Sequence, residues 1–245
     1  KRAFDDALED YKGSSTGDDE YPEHQVGLDI LAYHTGLPIV PIEEYSVKEM
    51  AQLEEIKEAS YKLAGAAVNA KPTLAGQKED IEAAERLHAS YIKLRNTRIM
   101  QTVPKVAALL RKNYRRMPKT GLRLLYTLGA GHASSNFADH TETDVDLSFG
   151  NGYKSLTPAI SHRLNYDPQA NLTEAEKCRL VLATHLLATL PSGFLANDTS
   201  GQREILVSSL AKTTTENFSK LDELTAGKPL DEKGKIIRKY LLERK

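Results

Sequence analysis

From Ser46 to Ala70 apolar residues return every three or four positions among charged residues and alanines, which predicts an amphipathic helix. KPTLAGQ breaks the pattern, and it resumes from about Lys78 to about Val103. Pro104, well suited to a first helical position, opens a further run to Arg115. Earlier in the chain Val26, Ile30 and Tyr33 keep helical spacing until Gly36 and Pro38 stop it. Two segments concentrate β-formers instead: PIVPIE, residues 38–43, and LRLLYTL, residues 122–128. Pro41 inside the first marks it as an edge or irregular strand.

After Gly150 no further strand is expected and three helical segments follow. Thr173 with Glu176 forms a capping-box pattern ahead of the apolar run from Cys178 to Leu190, stopped by Pro191 and Gly193. Gln202–Leu224 and Lys233–Leu242 complete a helical tail. The expected fold is therefore α/β and helix-rich, with a few short strands flanked by long helices and an all-helical C-terminal extension. Its organisation reads as a flexible N-terminal segment over 1–24, an α/β half-domain over 25–150 and the helical extension over 151–245.

Composition narrows the function classes. Basic and acidic side chains number 33 and 34 in 245 residues, a formal charge of -1, so no global field recruits nucleic acid or an anionic membrane. LVLATHLLATL, from Leu180, is interrupted by His185 and threonines and falls short of the roughly 20 apolar residues of a membrane span. No signal-peptide pattern is seen near Lys1, and nothing in the sequence fixes a compartment or an oligomeric state. A single cysteine, Cys178, excludes an internal disulfide and fits a small buried hydrophobe.

Candidate chemistry centres on LYTLGAGH. His132 follows a predicted strand through Gly129-Ala130-Gly131, and ligands of open α/β sheets bind beyond the carboxyl ends of strands. The glycines let backbone amides approach a ligand, while an imidazole serves as base or metal ligand near neutral pH; the bland alternative is a glycine turn with a half-exposed histidine. Glu43 ends the other strand and, if the strands are neighbours, pairs with His132 as an acid/base or metal couple. Arg95 and Asn96 could hold an oxyanion and orient a ligand; alone, they read as a surface ion pair. The run from Asp139 to Asp146 carries hard ligands but reads as a solvated acidic connector. His24, His34, His88, His162 and His185 lack a partner at interpretable spacing, and His185 suits a core or groove position.

GLDILAYHTGLPIVPIEE, then YIKLRNTRIMQTVPKVAALLRK, then LRLLYTLGAGH, in that order over about residues 27–133, resembles the second half of the TraB/PrgY and Tiki-like family, whose relatives include erythromycin esterase-like and ChaN-like proteins. The resemblance implies an α/β fold with paired GxxH motifs at strand ends and, for Tiki-type members, metal-dependent proteolysis. On this chain it implies Glu43 and His132 at a divalent-metal site, Gly129 and Gly131 beside it, and Arg95 and Asn96 as supporting groups. The family's first GxxH has no counterpart in residues 1–26, so one metal ligand would come from a preceding segment or be lost. Two functions are thus expected: a metal-assisted hydrolase of peptide or ester bonds, incomplete if that ligand is lost, or a non-catalytic helical module that docks a protein partner.

Overall fold

Helix formation begins at Ser46, whose hydroxyl accepts from the Glu49 amide while the Glu49 carboxylate accepts from the Ser46 amide at 2.8 Å. This reciprocal cap satisfies two amides that a helix start would otherwise leave unpaired. The computed structural model describes residues 45–113, 156–190 and 201–243, all within one compact unit that begins at Tyr45. Helix α1 spans Val47–Ala70. A single 3-10 turn, Ala75–Gln77, leads into α2, Lys78–Asn113, and the two helices pack against each other as a hairpin. There follow α3, Pro158–Tyr166, and α4, Glu174–Thr189. The chain then forms α5, Gln202–Ala211, α6, Thr215–Thr225, and α7, Leu230–Glu243.

The α/β expectation is overturned: among the described residues the backbone is 84% helical, with no strand or sheet. The central layer that a sheet would occupy is taken by α4, buried along Cys178, Leu180, Val181, Leu182, Ala183 and Leu186. A helix apolar on nearly every side needs cover on every side, and α2, α5, α6 and α7 supply it. The segments predicted as strands, 38–43 and 122–128, and the predicted helix at 25–33 lie outside the described residues. No described helix is long and apolar enough to cross a membrane.

Three boundaries differ from the sequence reading. The run divided at Pro104 is one helix of 36 residues with the proline inside it. Inside a helix the ring removes one bond of the ladder and crowds the carbonyl four residues earlier, a cost of about 3 kcal/mol that burial of Ile99, Val106 and Leu110 on either side opposes. The segment expected as one helix over 202–224 breaks at Lys212, and Thr214 caps a new helix by accepting from the Asn217 amide. α3 was not expected, although Pro158 at its start is the usual sign of a first helical turn.

Tight packing decides the crossing of α4 and α7. A Cβ placed on Gly234 would stand 2.5 Å from both Cβ and Cγ2 of Thr189 and closer still to its hydroxyl, so these backbones approach as only glycine permits. Gly227, with φ of +71°, occupies the left-handed region just after α6 and turns the chain toward α7.

Candidate functional site

Arg95 and Asn96 both lie on α2, whereas Glu43, Gly129, Gly131, His132 and the acidic run 139–146 fall outside the described residues. Adjacent helical residues differ by about 100° in direction, so the arginine and asparagine do not share a face. Asn96 is 2% exposed. Arg95 instead joins a ladder of rings along the hairpin. Its Nη1 donates to the Tyr91 hydroxyl at 3.0 Å, and its guanidinium lies 5.4 Å from the centre of that ring.

The ladder runs on through His88, whose ring centre is 6.0 Å from Tyr91 and 6.1 Å from Tyr61 on α1. In the other direction Arg98 sits 5.6 Å from the Tyr45 ring and pairs with Glu49 at 2.5 Å. Residues 88, 91, 95 and 98 follow the three-and-four spacing of one helix face. That spacing is present in the sequence. It carries no sign of function by itself, because a histidine three residues before a tyrosine is common on helices and the partner ring of Tyr61 lies on another helix. Tyr61 remains 58% exposed and Leu94 50%, so large amphipathic and apolar surface stays in water along this hairpin.

A second cluster joins the hairpin to the helices behind it. The turn between α1 and α2 is fixed by three side chains from three helices. Asp222 on α6 accepts from the amides of Leu74 and Ala75 at 2.5 and 3.3 Å. Lys233 on α7 donates to the Pro72 carbonyl at 2.9 Å. His185 on α4 meets the Gln77 amide oxygen at 2.7 Å, while the Gln77 amide nitrogen donates to the Lys71 carbonyl at 3.0 Å. With its nitrogen so engaged, Gln77 presents its oxygen to His185, and His185 Nε2 therefore carries the proton.

His185 and Gln77 are wholly buried and Lys233 is 3% exposed. Burial, aided by the Lys233 ammonium, lowers the imidazole pKa to about 4, so the ring is neutral near pH 7. Burial likewise pushes the lysine down, with the Asp222 carboxylate partly offsetting it. Two clefts flank the turn, one of about 340 Å³ beside Ala75, Lys78 and Asp222, the other of about 250 Å³ beside Lys71, Pro72 and Lys233. Sequence reasoning placed His185 in a core or groove and missed its partners, which lie 108 positions away in the case of Gln77.

Among the described residues no group of three or more His, Cys, Asp or Glu side chains is arranged to hold a metal ion. Cys178 is 1% exposed, and burial raises its thiol pKa, the setting of a packing residue and not of a nucleophile. In comparisons with known proteins, no family model, no curated protein and no solved structure matches the chain.

Proposed function

We propose that this chain is a non-catalytic helical interaction module whose α1–α2 hairpin receives a protein segment bearing carboxylates. The observation that supports this reading is the ring ladder from Tyr61 through His88 and Tyr91 to Arg95, with Tyr61 half in water. Tyrosine and arginine dominate binding hot spots, and a guanidinium is the side chain best matched to a carboxylate. A photo-reactive phenylalanine analogue replacing Tyr61 tests it, with the same analogue at Leu224, 53% exposed on α6, as control. The expected result is a discrete cross-linked product from position 61 that Arg95→Glu abolishes. Equal labelling from both positions, or indifference to Arg95→Glu, overturns it.

The motif order shared with TraB and Tiki proteins supports a second reading, a metal-assisted hydrolase with Glu43 and His132 at the metal and Arg95 and Asn96 assisting. The residues that would carry it, Glu43, Gly129, Gly131 and His132, lie outside the described residues. Elemental analysis of the purified chain beside His132→Ala separates the two. Stoichiometric metal lost on substitution favours the hydrolase, and metal-free protein in both forms favours the interaction module.

A further inference from the structure

The turn that closes the hairpin is held mainly by side chains far away in sequence, and one of them is a histidine, a group that takes a proton in mildly acidic solution once it reaches water. His185 Nε2–H already donates to Gln77, so a second proton can only enter at Nδ1. That atom is buried and has no hydrogen-bond partner. An imidazolium formed there would have one N–H unsatisfied inside the core and would stand within the field of the Lys233 ammonium, itself nearly buried. Among the described residues no carboxylate is bonded to the ring. From the turn come neutral Gln77 and Lys71, the latter paired with Asp80 of α2 at 2.8 Å. On α7 stands Lys233, and Asp222 on α6 acts on that lysine. Ala67 and Val68 of α1 and Leu206 and Leu210 of α5 bring only apolar groups to the shared core.

We propose that His185, Gln77 and Lys233 form an acid-released latch, in which opening of residues 71–77 away from α4, α6 and α7 admits water to His185 and a proton then taken from solvent at Nδ1 holds the open form while the helices stay formed. The turn is suited to local release. It is short, Leu74 is its one side chain in the apolar core, its ties to α6 and α7 through Asp222 and Lys233 are polar, and a cleft lies on either side of it. Release would join those clefts and loosen the closed end of the hairpin, whatever its outer face binds.

Hydrogen exchange read by mass spectrometry tests this on the full chain, with rates corrected for the intrinsic effect of pH. Between pH 7.5 and 5.5 the amides of Leu74, Ala75 and Gln77 should lose about tenfold in protection, the factor set by a histidine that titrates near 6.5 when released and near 4 when latched. Protection of Val181–Leu186 in α4 should hold over the same range, and His185→Gln should remove the pH response of the turn. The latch is refuted if the turn keeps its protection at pH 5.5, if turn and α4 lose protection together, or if His185→Gln responds as the parent does. Should that variant not fold, the comparison of turn with α4 in the parent chain decides alone.

Discussion

Gly234→Ala is the sharpest probe of the packing, because general propensity and local structure predict opposite signs for it. Alanine in a helix interior is favoured over glycine by about 1 kcal/mol. At this crossing the new methyl would meet Thr189 atoms at 2.5 Å, whereas apolar contacts settle near 4 Å, so α7 must retreat from α4 by ~1 Å or more. Overpacking of that kind costs about 1–3 kcal/mol. The retreat also carries Lys233, the next residue, away from the Pro72 carbonyl it now reaches at 2.9 Å, which puts a further ~1 kcal/mol at risk. We expect a net loss of about 1–3 kcal/mol in urea unfolding at neutral pH followed by far-UV circular dichroism. Gly65→Ala, in α1 with nothing within 4 Å of the added methyl, serves as control and should gain about 0.5–1 kcal/mol. Thr189→Gly combined with Gly234→Ala should recover part of the loss, since Thr189→Ala would leave the obstructing Cβ in place. Stabilisation by Gly234→Ala equal to that of Gly65→Ala would refute the close crossing.

Three further outcomes are expected. Asp222→Ala strips the acceptor from two amides, that of wholly buried Leu74 among them, and should cost about 1–3 kcal/mol in the same unfolding assay, whereas Asp222→Asn, which keeps an oxygen, should cost less. Glu176 is held at a pKa of about 2 by Arg163, 2.8 Å away, and by its capping bonds to Thr173. A carboxyl depressed on folding contributes stability that is present above its unfolded pKa and lost as pH falls, so the stability gap between parent and Glu176→Gln should shrink between pH 4.5 and 2; with Arg163 43% exposed the whole effect is at most about 2 kcal/mol. Cys178 should react with a disulfide reagent far more slowly in native protein than in urea, and a native rate near the unfolded one would contradict its burial.

Local rules written in a few adjacent residues were legible in the sequence. Thr173 and Glu176 announced the start of α4, and Pro191 and Gly193 its end near Leu190. The cap at Thr214 was harder to see because its third residue is asparagine where the familiar pattern has glutamate or glutamine. Long-range pairing was not legible at all: Lys233 and Pro72 are 161 positions apart, and no periodicity reports on such a contact. The fold class failed for a related reason. The α/β expectation rested on two short β-rich segments, 38–43 and 122–128, because a short apolar run does not by itself separate a strand from a buried stretch of helix; both lie outside the described residues, which hold no strand. Of the candidate site, Arg95 meets the hydroxyl and ring of Tyr91, four residues earlier on the same helix, a spacing already present in the sequence.

The length of α2 gives the closing turn mechanical leverage. Thirty-six helical residues extend about 54 Å at 1.5 Å each. Lys78, Glu82, Glu85 and Arg86, all within its first nine residues, make polar contacts to α3, α4 and the connection between them, while farther along Ile99, Val106 and Leu110 are buried and Arg98 pairs with Glu49 of α1. A small rotation at one end of a long rod is a larger displacement at the other. A tilt of about 5° about the first end would carry the far end roughly 5 Å, as much as one helical turn. A change of one proton or one methyl group beside the turn would thus be read out as a displacement large enough to align or misalign whatever the outer half of the rod touches.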